Sequence, residues 1–284
     1  MPMLASAYFY QLDILKNSHE VIKALSDYHD KDHPITEVQR NYIKNYLLSC
    51  PRDTTKVIIE DLHSFMQDSA PQGILAGLAE YCSNCSLCVQ NVEYRVLRVK
   101  ALGEFVYQPD KNPFECKSAC SITMRDLIAE IETAISALSR VSFPHPLVVT
   151  VQKIIAETRK NIVNFKWHEY AHATVAEYLA SIPVRQRYNL IKKMLMCDVK
   201  LLDLHILAAI ISQPHYQNII ICAGGSHIQQ IGQLLKKIGY RSHFSTKTSF
   251  FTETDLSRCV TATIYNNSYC LKPHPVNLNL LHHK

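Results

Sequence analysis

Asn218-Ile219-Ile220-Ile221-Cys222-Ala223-Gly224-Gly225-Ser226-His227 is the stretch on which the fold turns. Its short, unbroken run of mostly β-branched residues suits a strand buried on both faces. The glycine pair stops that run abruptly. Beyond it, Ile228, Ile231, Leu235 and Ile238 recur at helical spacing up to Gly239, a good residue to close a helix. Strand, tight turn and helix together make one unit of an open α/β sheet. A second run, Val57-Ile58-Ile59, ends on Glu60-Asp61-Leu62-His63 in the same way, and two further polar motifs follow apolar runs: Ser26-Asp27-Tyr28-His29 and Asn91-Val92-Glu93-Tyr94-Arg95. The downstream ends of parallel strands meet at one crevice, so residues distant in sequence converge there.

Working outward, Thr36-Glu37-Val38-Gln39 has a capping-box pattern, and Val38, Tyr42, Tyr46 and Leu47 continue it as a helix. A strand is predicted near Val89–Val99, followed by a loop around Gln108-Pro109-Asp110 and Asn112-Pro113. Residues 121–213 read as helical throughout. Ile122, Leu127, Ile128, Ile131, Ile135 and Leu138 mark one amphipathic helix, Phe143-Pro144-His145-Pro146 interrupts, and further helices pass through Ala176, Tyr188, Ile191, Leu201 and Leu204. Strands are predicted again near Arg241–Ser245 and Val260–Tyr265, and residues 272–284 read as coil. The expectation is therefore a single α/β domain over residues 1–284, with a mostly parallel central sheet, flanking helices and a helical insertion or lid over 121–213.

The 284 residues suffice for a full core, and 47% hydrophobic with 19% charged residues is ordinary for a globular chain. A net charge of +5 with scattered basic residues gives no indication of nucleic-acid binding. No apolar stretch reaches the roughly 20 residues that cross a bilayer. The apolar start, Met1–Phe9, lacks a basic leader and is soon interrupted by Asp13 and Lys16, so a cytoplasmic protein is expected; a truncated start and delivery into a host cell are the competing readings.

Cys82, Cys85 and Cys88 form a C-x2-C-x2-C array with Cys116 and Cys120 downstream, a spacing able to hold zinc or an iron–sulfur cluster. Leu75, Leu78, Ala79 and Cys82 instead continue a helix, with Cys85 and Cys88 at its exit and no knuckle of turn residues around them. Ten cysteines without a secretory signal are expected to be mostly buried free thiols in a reducing compartment.

Asp27-Tyr28-His29 and Gly224-Gly225-Ser226-His227, with a strand ending in Glu60 between them, resemble the TraB/Tiki/ChaN-like superfamily, nearest its uncharacterised members. Members of that superfamily place two G-x-x-H motifs and an acidic residue around one site. His227 matches the second motif in its strand-Ala-Gly-Gly-Ser-His-helix context; in the first, Ser26 stands where the family has glycine. The resemblance spans about residues 20–110 and 198–240, and it implies a shared architecture hosting metalloproteases, haem-binding lipoproteins and esterase-like enzymes.

The strand-end residues support hydrolysis of a small-molecule or peptide substrate, which the resemblance implies is protease- or esterase-like. His29, His227 and a carboxylate, that of Glu60 or else Glu93, are the candidate ligands of a divalent ion, zinc or manganese, that would lower the pKa of a bound water. Glu60, Glu93 and Arg95 are the candidate catalytic groups, with Arg95 stabilising developing negative charge. In a metal-free version one histidine is the general base. Asp27, His33 and Asp61 would support these side chains from behind. The alternative is a non-catalytic, effector-like protein that binds a ligand or partner on the same fold. Each motif also has an ordinary reading: Glu93 and Arg95 alternate along a strand and can pair as an ion bridge, and Gly224-Gly225 can be only a tight turn. A lone glycine pair before a helix is a weak phosphate site, and no phosphate-binding glycine fingerprint or Gly-x-Ser-x-Gly elbow is present.

Overall fold

A computed structural model describes residues 10–16, 20–27, 44–45, 47–48, 50–61, 78–85, 87–212 and 216–247. Strands β1 (Tyr10–Lys16), β2 (Glu20–Asp27), β3 (Thr55–Ile59), β4 (Cys88–Asn91), β5 (Asn218–Gly224) and β6 (Arg241–Lys247) form one sheet in the order β4-β3-β5-β2-β1-β6. The neighbours β4/β3, β3/β5 and β5/β2 are parallel. Only β1 runs against the others, pairing antiparallel with β2 and β6. The chain is thus an α/β protein with a mostly parallel sheet and flanking helices.

Alternation along the buried strands assigns their two faces. Val57, Ile59, Ile220 and Cys222 pack with Leu78, Ala79 and Cys82 of helix α1 (Leu78–Asn84) in a small cluster. Ile22, Ala24, Ile58, Ile219, Ile221 and Ala223 face the other way, into the large core. That period of two, with both faces covered, is why β3 and β5 read as continuous apolar runs.

The large core is built by helices α2 (Val96–Tyr107), α3 (Lys117–Ser121), α4 (Met124–Leu138), α5 (His145–Asn164), α6 (Val175–Ala180), α7 (Val184–Met196), α8 (Val199–Ile211) and α9 (Gly225–Lys237). Leu127, Ile131, Ile135 and Leu138 are the buried stripe of α4, which a Thr123–Asp126 capping box starts. Helix α8 is buried nearly all round. It lies antiparallel to β3: Asp203 near its start reaches the downstream strand ends, while the Ala209 carbonyl accepts a hydrogen bond (2.9 Å) from Lys56 Nζ near the strand's beginning. Lys56 is 1% exposed and also donates to Gln90 Oε1 at 2.8 Å; burial lowers its pKa.

The predicted strand over Val89–Val99 is corrected: β4 stops at Asn91, and Val96 begins helix α2. The β-branched residues of the segment masked a helical stripe, Arg98, Ala101, Leu102 and Phe105, which is the face that α2 buries. The strand near Arg241–Ser245 is present as β6. The capping box at 36–39 and the strand at 260–265 lie outside the described residues.

Candidate functional site

Adjacent parallel strands β3 and β5 send their next described helices to opposite faces of the sheet, α1 to the small cluster and α9 to the large core. Such a divergence opens a crevice at the downstream strand ends. Glu60 stands there. Its backbone N–H extends the ladder to the Cys222 carbonyl (2.9 Å), and strand alternation turns its side chain to the large-core face shared by Ile58 and Lys56. One carboxylate oxygen, Oε2, accepts the Gly224 N–H at 2.8 Å.

The loops leaving β3 and β4 are joined by Asn91. Its Oδ1 accepts the N–H groups of Asp61 (3.2 Å) and Glu93 (3.1 Å), and its Nδ2 donates to the Asp61 carbonyl (2.7 Å). This clamp fixes where Glu93 and Arg95 leave the sheet. Arg95 donates from Nε to Glu93 Oε1 (2.9 Å) and from Nη2 to Glu93 Oε2 (2.6 Å), a two-point ion pair, and the same Nη2 reaches Glu60 Oε1 at 2.9 Å. The expected Glu93–Arg95 bridge therefore forms, but on a loop and not along a strand.

On the other side of Glu60, His227 Nε2 lies 3.5 Å from Oε1, while Nδ1 is 2.6 Å from Asp203 Oδ1 on α8. Asp203, His227, Glu60, Arg95 and Glu93 thus form one continuous line of ionisable side chains. Nearly all of it is buried, with Arg95 the most open at 15% side-chain exposure. His227 sits inside, at 6% exposure, and not at the solvent-facing corner that its place after a turn predicts. Burial opposes its charge, but the hydrogen bond to Asp203 and the charges of Glu60 and Asp203 prevail and raise its pKa. Burial likewise raises the Asp203 carboxyl, against the pull of His227. Burial works against ionised Glu93 too, yet its bonds to Arg95 hold it below the ordinary carboxylate value.

No protein-family model, curated protein or solved structure matches this chain.

Of the residues singled out in the sequence, Glu60, Glu93, Arg95 and His227 come together. His29 and His33 lie outside the described residues; Asp27 ends β2 with its Cα opposite Gly224, and Asp61 is buried with its backbone held by Asn91. Asp203 was missing from that set. In the sequence it is an acid inside the otherwise apolar run Leu201-Leu202-Asp203-Leu204, which has to find a partner when the helix is buried.

A second buried pair stands directly behind. Arg98 bonds Asp198 at two points (2.5 and 2.6 Å) and Glu130 at 3.0 Å, and the Tyr94 hydroxyl donates to Asp198 Oδ2 at 2.6 Å. It ties the loop between Glu93 and Arg95 to the start of α8. As for the cysteines, Cys82 is buried in α1 with its thiol pushed up to about 12 by burial, Cys88 opens β4, Cys116 precedes α3 and Cys120 lies within it. Cys50, Cys82, Cys116, Cys197 and Cys222 are buried.

A divalent ion does not fit the described residues as they stand. Both oxygens of Glu60 are engaged, one by the Gly224 amide and the other by the Arg95 guanidinium, whose charge already occupies the place a cation would take. Among the described residues no group of three His, Cys, Asp or Glu side chains is arranged to hold a metal.

Proposed function

We propose that this chain is a hydrolase of small-molecule or peptide substrates, acting in the cytoplasm through a metal-free acid–base centre at the strand ends. One observation carries the reading: Asp203 holds Nδ1 of His227, which leaves Nε2 as the free nitrogen, 3.5 Å from the Glu60 carboxylate. A histidine oriented by one carboxylate and facing another is the arrangement of a general base with its orienter.

In this mechanism a water held on Nε2, beside Glu60 Oε1, attacks the carbonyl carbon of an ester or amide. Its proton passes to Nε2, and Asp203 stabilises the imidazolium that results. Arg95, the most accessible member of the line, offers positive charge to the oxyanion as it forms. Collapse of the tetrahedral species breaks the bond to the leaving group, which takes the proton back from Nε2. Glu93 holds Arg95 in place and Gly224 holds Glu60. The resemblance to the TraB/Tiki/ChaN-like superfamily belongs to the same proposal and implies His29 as a second histidine of the site.

The test is hydrolysis of chromogenic esters and peptides by the wild-type chain, His227→Gln and Asp203→Asn, with elemental analysis alongside. Loss of about 100-fold or more is expected for His227→Gln, a smaller loss for Asp203→Asn, a rate that rises with pH through the raised pKa of His227, and no dependence on chelators. Full activity in a folded His227→Gln protein would sink the proposal. Stoichiometric zinc or manganese lost with His227 would replace it by the metal version, in which His29, His227 and Glu60 are the ligands. A chain inert to every substrate would leave the non-catalytic, ligand-binding reading.

A further inference from the structure

A cleft of about 810 Å³ opens between the end of α5 and the length of α7, away from the strand-end site. Its volume lies in the range of clefts that hold small molecules. Arg185, Asn189 and Lys193 recur every four residues on α7 and so line it from one helix face. Arg185 and Lys193 are two turns apart, roughly 12 Å along the axis.

The opposite wall supplies Asn164 and Phe165. Phe165 is half-buried, and its ring stacks on Trp167 with centroids 5.7 Å apart and planes inclined by 23°. The charge of the cleft is one-sided. Residues 178–197 contain no Asp or Glu. The acids that bracket this segment are both spent internally, Glu177 on the capping box of α6 and Asp198 on Arg98. Arg185 and Lys193 have no carboxylate partner among the described residues. Two uncompensated cations, amide side chains and an aromatic wall therefore face one space.

We propose that this cleft binds a nucleoside phosphate, its phosphates between Arg185 and Lys193 and its base against Phe165. Separated cations with no counter-charge attract a ligand bearing more than one negative charge, and their side chains donate to phosphate oxygens. A bare inorganic anion would leave most of the cleft unfilled. The amides of Asn164 and Asn189 have both donors and acceptors for the edge of a base, and an aromatic ring offers it a stacking surface. This site is independent of the hydrolase reading, and nothing in it requires the strand-end residues.

The experiment is titration of the full chain with ADP and, separately, with pyrophosphate, by calorimetry and by the emission of Trp167, the only tryptophan in the sequence. Saturable ADP binding is expected, tighter than pyrophosphate, accompanied by a change in Trp167 emission through Phe165. Arg185→Ala and Lys193→Ala should each weaken it about tenfold or more, whereas Lys153→Ala, an exposed lysine elsewhere on α5, should not. Both replaced residues are exposed, so the ligand-free melting temperature should stay unchanged and separate lost binding from lost fold. Absence of saturable ADP binding, or binding indifferent to both replacements, overturns the proposal; pyrophosphate binding as tightly as ADP overturns the assignment to a nucleoside.

Discussion

His227 carries two carboxylate neighbours in a buried setting, and its protonation therefore feeds into stability. Its folded pKa is raised above the ordinary 6.5, so the hydrogen bond to Asp203 and the attraction of the Glu60 and Asp203 charges contribute fully below that value and fade as pH climbs through the raised one. The stability gap between the wild type and His227→Gln should accordingly be widest on the acid side of 6.5 and shrink above it, as measured by urea titrations across that window. A gap that grows toward alkaline pH would contradict the assignment of the charged form to the folded state. The sequence revealed Glu60, Glu93, Arg95 and His227 because each ends or follows an apolar run, and strand ends are legible one segment at a time. Asp203 was not legible in that way. Its partner lies 24 residues away across a helix-to-helix contact, and only the packing of α8 against the sheet brings the two together.

Helix α9 shows how an element turns a periodic sequence into a fixed position. Its buried residues Ile228, Ile231, Leu234 and Leu235 lock it onto the large core, and Gly239, at φ +94°, takes the left-handed turn that ends the segment. Leu235 is 1% exposed, so Leu235→Ala should destabilise the fold by about 2 to 5 kcal/mol in denaturant titrations. A cost below about 1 kcal/mol would mean that the helix end relaxes into the space and is not rigidly packed. The stripes of α4 and α9 were readable because an amphipathic helix repeats its pattern over several turns. The start of helix α2 reads as strand in the sequence, since Val96, Leu97 and Val99 suit either structure locally. What decides for helix is Arg98, drawn inward by Asp198 and Glu130, which come from distant segments.

Over the whole molecule, the α/β class followed from two strand-turn-helix units, while the order β4-β3-β5-β2-β1-β6 did not. That order depends on β5 inserting between β2 and β3 after a helical excursion of more than a hundred residues, a pairing that local pattern does not encode. Insertion of β5 is also what seals the sheet over Lys56, whose amine is spent on Gln90 and on the last turn of α8. An amine in that position is beyond the reach of acylating reagents for as long as the strands and α8 stay together, whereas Lys153 and Lys166, with side chains 75% and 68% exposed, react at once. Pulse labelling with a succinimidyl ester, read peptide by peptide in a mass spectrometer, should leave Lys56 unmodified in the native protein and modify it in step with global denaturation. Early modification of Lys56 would reveal a sheet that opens before the rest. The sealed lysine thus serves as a chemical clock for the opening of the entire fold.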